Sequence, residues 1–79
     1  MGTIGERAAK AIQQQAMKGT SANRRTIKVK DELDRLDIPQ ENFYHWKKGE
    51  SNPSAYYLQQ MALAGYDVIW ILTGKEKER

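Results

Sequence analysis

Apolar residues in this chain recur at steps of three and four, and glycines stand where most of these runs should stop, a pattern that suits short helices. Ile4, Ala8, Ala11, Ile12 and Gln15 follow this spacing before Gly19, and Thr3-Ile-Gly-Glu6 ahead of them has the order of a capping box. Thr26 to Lys30 alternates like a strand, while Val29, Leu33 and Leu36 keep helical spacing. No second alternating segment exists to pair with a strand, so a helix is expected within Arg25 to Leu36. Asp37-Ile38 reads as a turn, and Pro39 suits the first position of a third helix that buries Phe43 and Trp46 and ends at Gly49. Ser54 is expected to cap a fourth helix with Tyr57, Leu58, Met61 and Ala62 inward and Gly65 as its stop. A fifth begins at Asp67, carries Val68 to Leu72 and ends at Thr73-Gly74. The expected fold is all-α: one compact five-helix domain over residues 1–74, followed by a charged, frayed tail over 75–79.

Seventy-nine residues build one modest core with little stability to spare for a deep catalytic cavity. The chain has no cysteine and one histidine, so neither a disulfide framework nor a zinc cluster is expected, and no cofactor or metal is called for. There is no nucleophile–base pair or phosphate loop, which disfavours an enzyme. No apolar run reaches membrane-spanning length, and the first residues lack the order of a secretion signal; no membrane partner and a cytoplasmic location are expected. The net charge of +3 permits a polyanionic partner without requiring one. Its distribution is uneven. Arg7, Lys10, Lys18, Arg24, Arg25, Lys28 and Lys30 face Glu6 alone in residues 1–30, whereas residues 31–46 hold Asp31, Glu32, Asp34, Asp37 and Glu41 against Arg35. Asp31, Glu32 and Asp34 are read as offsetting the positive end of a helix dipole rather than as acid–base chemistry.

Two helices joined by a tight turn, with Leu33, Leu36, Ile38, Phe43 and Trp46 as the locking apolar set, form the pattern of a DNA-reading helix pair. Gln40, Glu41, Asn42, Tyr44 and His45 would then project outward, where glutamine and asparagine can pair with adenine and glutamate can accept from cytosine. Each also has a plain reading: surface amides for Gln40 and Asn42, a solvated or packed ring for His45.

On the stretch Leu36-Asp-Ile-Pro-Gln-Glu-Asn-Phe-Tyr-His-Trp-Lys-Lys-Gly-Glu-Ser-Asn-Pro, the chain resembles the lambda-repressor-like, or Xre, family of phage and bacterial regulators. The later stretch from Leu58 through Trp70-Ile-Leu-Thr-Gly74 is similar to a phage-repressor branch of that family. Glu32-Leu33 departs from the family's usual Leu-Ala pair. The resemblance implies a five-helix domain that binds inverted-repeat operators in double-stranded DNA as a homodimer and regulates transcription. It places Gln40 at the opening of the recognition helix and Glu41, Asn42, Tyr44 and His45 on base-facing or groove-wall positions. It also puts Lys47 and Lys48 near phosphates and Asn52 and Ser54 against the backbone. Arg24, Arg25 and Lys28 are either a solvated loop or further phosphate contacts. Val68, Trp70 and Ile71 are expected where a second copy docks, with Trp70 as core closure the alternative. A protein-interaction module using the Tyr66 to Leu72 surface is a second reading of the same scaffold.

Overall fold

A computed structural model describes residues 2–18 and 28–75. Among them are five helices and no strand: α1 (Ile4–Lys18), α2 (Val29–Leu36), α3 (Gln40–Lys47), α4 (Ala55–Leu63) and α5 (Val68–Thr73). The alternating stretch is thus helical from Val29 onward, because Leu33 and Leu36 bury one face of α2 and the described residues hold no strand to pair with it. Gly19 and residues 20–27 lie outside the described residues, as do residues 76–79 of the expected tail.

The capping box forms as the spacing predicts. The Glu6 amide donates to Thr3 Oγ1 at 3.1 Å, and the Thr3 amide donates to Glu6 Oε1 at 2.8 Å. The inward stripe of α1 is wider than the sequence pattern suggested, since Ala9 and Ala16 are buried with Ala8 and Ile12. Gly5 is the close-approach point of α1. A Cβ there would overlap the Ser51 carbonyl and press on the Trp46 backbone, and the Gly5 amide donates to Asn52 Oδ1 at 2.9 Å. α1 packs on α2, α3 and α5, so one long helix forms the floor on which the others are arranged.

The core gathers Ala8, Ala9, Ile12, Leu33, Leu36, Ile38, Phe43, Trp46, Met61 and Ile71 from all five helices and the turn before α3. Tyr57 meets the Trp46 ring edge-on, with centroids 5.6 Å apart. Three expectations need correction. Ala62 is exposed, because the inward face of α4 centres on Met61 with Tyr57 and Leu58 half-buried. Ser54 occupies the N-cap of α4, yet its side chain makes no capping hydrogen bond. Pro39 is the N-cap of α3 and Gln40 its first helical residue, so the proline's missing N–H falls just outside the helix.

Glu32 lies 1% exposed inside the domain. Its carboxylate accepts from Arg35 Nε at 3.1 Å and Arg35 Nη2 at 2.6 Å, and from the Tyr66 hydroxyl at 2.5 Å. Asp31 is exposed in the first turn of α2, where a dipole role requires it; Asp34 lies past that turn, and Glu32 ties α2 to the segment between α4 and α5. Burial, together with the Glu32 carboxylate, pushes the Tyr66 phenol pKa well above its ordinary value. The same carboxylate raises that of Arg35.

Candidate nucleic-acid interface

Between α2 and α3 the chain turns through Asp37, Ile38 and Pro39. Asp37 takes the left-handed conformation with φ 61°, uncommon for a residue with a side chain but accessible to aspartate. Its amide donates to the Asp34 carbonyl at 3.2 Å, and the Ile38 amide reaches the Leu33 carbonyl at 2.9 Å, so the end of α2 closes without a glycine. Ile38 enters the core, and Phe43 and Trp46, three residues apart, anchor α3 from the same side. With Trp46 at 2% exposure, the angular position of α3 is set and its opposite face is committed to solvent.

That outer face carries Gln40, Glu41 and Tyr44, all exposed, with Tyr44 at 54%. Asn42 and His45 are half-buried on its flanks. Lys47 and Lys48 are exposed at its carboxyl end, as is Lys28 just before α2. Arg24 and Arg25, expected at phosphates, lie outside the described residues. Asn52 is exposed, and its carbonyl oxygen accepts one hydrogen bond from the Gly5 amide, which holds the side chain toward α1. Ser54 is exposed with its hydroxyl uncommitted to the helix end.

The side chains of α3 are organised among themselves. Lys48 Nζ lies 4.2 Å from the centroid of the Tyr44 ring, and the Tyr44 side chain, followed by the Glu50 charge, raises the ammonium's pKa. Glu50 Oε1 is 2.7 Å from His45 Nδ1, and this bond holds the Glu50 carboxyl below the usual carboxylate range. Glu41 Oε2 approaches His45 Nε2 at 4.0 Å. The Glu50–His45 contact was not legible from the sequence, because Glu50 stands beyond the helix-closing glycine.

On the far side of the domain, α5 departs from expectation at one of the three proposed docking residues. Ile71 is fully enclosed, 0% exposed, because it is the residue that seats α5 in the core. Val68 and Trp70 are half-buried, and the outward positions are Ile69, at 58% exposure, and Leu72. Tyr66 is likewise committed inward to Glu32, which leaves Ile69 and Leu72 as the exposed apolar positions of the Tyr66 to Leu72 surface. Among the described residues no three His, Asp or Glu side chains group as metal ligands, and no helix is long and apolar enough to cross a membrane. No protein-family model, curated protein or solved structure matches the chain.

Proposed function

We propose that this protein is a sequence-specific regulator that binds double-stranded operator DNA, with α2, its turn and α3 acting as a helix-turn-helix of the lambda-repressor type. The observation that carries the reading is the division of α3. Phe43 and Trp46 are locked inward, and Gln40, Glu41, Tyr44 and the two lysines stand on the free side and end of a helix that follows a three-residue turn. A helix held in this way can enter a major groove with its first turns against base edges and its basic end near phosphates. The left-handed Asp37 supports it, since it supplies the abrupt change of direction that such a pair requires.

Gln40 is the principal base-reading residue in this proposal, with Glu41, Asn42, Tyr44 and His45 around it and Lys28, Lys47 and Lys48 as phosphate contacts. Operator binding is by a homodimer joined through α5, where Ile69 and Leu72 replace Ile71 as the apolar contacts beside Val68 and Trp70. Titration of a mixed duplex at two salt concentrations, followed by selection from a random duplex pool, tests the reading. Affinity is expected to fall steeply with salt, and Lys47→Gln and Lys48→Gln are each expected to flatten the slope by about one unit. Gln40→Ala is expected to cost about 1–3 kcal/mol and to relax one operator position. Binding indifferent to salt, or an unchanged set of selected sites with Gln40→Ala, overturns it.

A further inference from the structure

Gly49, with φ 78°, turns the chain back on the end of α3, so that the Glu50 amide donates to the His45 carbonyl at 2.9 Å while its carboxylate meets the His45 ring. Glu50 is thereby tied to the same residue by backbone and side chain. An ionised carboxylate only accepts hydrogen bonds, so the contact at 2.7 Å requires a proton on Nδ1. The remaining nitrogen, Nε2, lies 4.0 Å from Glu41 Oε2, beyond hydrogen-bond distance, on the side of α3 that carries Glu41. The charged and titratable groups around the ring are Glu41, Tyr44 and Lys48 on α3 and Glu50 after it, with Glu6 of α1 beside Gly49.

Resting on the DNA-binding reading above, we infer that Glu50 is a positioning residue that fixes the His45 ring, and that the proton on Nε2 decides which base edge His45 reads. With Nε2 protonated, His45 donates, and the acceptors it meets in a major groove are N7 and O6 of guanine, N7 of adenine and O4 of thymine. Without that proton Nε2 accepts, as Glu41 beside it does, and the pair matches the amino groups of cytosine or adenine. This chain has one histidine. A pH-dependent change of base preference that His45→Gln removes therefore maps to this residue.

Selection from a random duplex pool at about pH 5.5 and about pH 8, at fixed ionic strength, reads the effect directly. One half-site position is expected to move from guanine or thymine toward cytosine, with about a tenfold change in relative affinity between duplexes that differ at that position. His45→Gln is expected to abolish the pH dependence. Glu50→Ala is expected to broaden the preference at the same position at both pH values while leaving the preference at the Gln40 position intact. Long-range proton–nitrogen correlation on the single imidazole gives a second readout in the free protein: Nδ1 carries the proton at about pH 8, and Glu50→Ala shifts it toward Nε2. Sequence-specific binding with identical preferences at both pH values, or a bare Nδ1 at the higher pH, overturns this inference and leaves DNA binding standing. Absence of salt-sensitive duplex binding at either pH overturns both.

Discussion

Asp37 and Tyr66 show how single residues set the geometry of this domain. At Asp37 the backbone is left-handed, a conformation that costs a residue with a Cβ about 1–2 kcal/mol, and glycine would remove that cost while adding some unfolded-state entropy. Asp37→Gly is expected to raise stability by about 0.5 kcal/mol in urea unfolding, leaving the turn unchanged. Tyr66 is the more consequential of the two, because its hydroxyl satisfies part of a carboxylate that water does not reach. Tyr66→Phe is expected to cost about 1–3 kcal/mol, the usual penalty for leaving a buried acceptor short of a partner. Its pH signature is distinctive. The folded-state phenol titrates above the unfolded value near 10, so as pH rises past that value the unfolded chain binds fewer protons and stability falls. The alkaline loss of stability is expected to be shallower in Tyr66→Phe than in the parent, as measured by chemical unfolding between pH 8 and pH 11.

At the scale of elements, α5 is the most dependent on its surroundings. Six residues are too few for an isolated helix, so its ends must be held. Asp67 accepts from the Trp70 amide at 3.0 Å, and Gly74, with φ 78°, closes the last turn. Arg7 reaches across from α1, with Nε donating to the Ile71 carbonyl at 2.8 Å and Nη2 to the Leu72 carbonyl at 3.2 Å. A guanidinium at these carbonyls also meets the negative end of the helix. Arg7→Met keeps the apolar stem and removes the donors. Amide hydrogen exchange is expected to speed up over 69–74 in this variant, with little change over 41–47, because α3 is anchored separately through Trp46.

For the whole molecule, two exposed surfaces lie on different elements: α3 presents polar and basic groups, and α5 presents Ile69 and Leu72. The core between them is continuous, since Ile71 and Trp46 belong to the same cluster. Ile69→Lys is expected to leave the fold intact, because this side chain is already solvated. Under the proposed dimeric DNA-binding reading, it is expected to convert the dimer to a monomer in sedimentation and to weaken operator binding far more than binding to a single half-site. Equal losses on both duplexes would place Ile69 outside the dimer contact.

The helices and most of the core followed from local rules: periodic apolar residues at Ile12, Leu33, Phe43 and Trp46, a capping box at Thr3 and Glu6, and glycines at the ends of α3 and α5. These are interactions within one or two turns, and a linear reading captures them. The exposed face of α3 followed in the same way, since burying residues three apart dictates which others face solvent. What only the tertiary structure decided are the pairings across the chain: Glu32 with Tyr66, Arg7 with α5, Gly5 with the Ser51 carbonyl and the Asn52 side chain, and the choice of Ile71 over Ile69 as the inward residue. In a helix with five apolar residues in a row the periodicity has no polar face to orient it, and the partner that fills the space decides which residue turns inward.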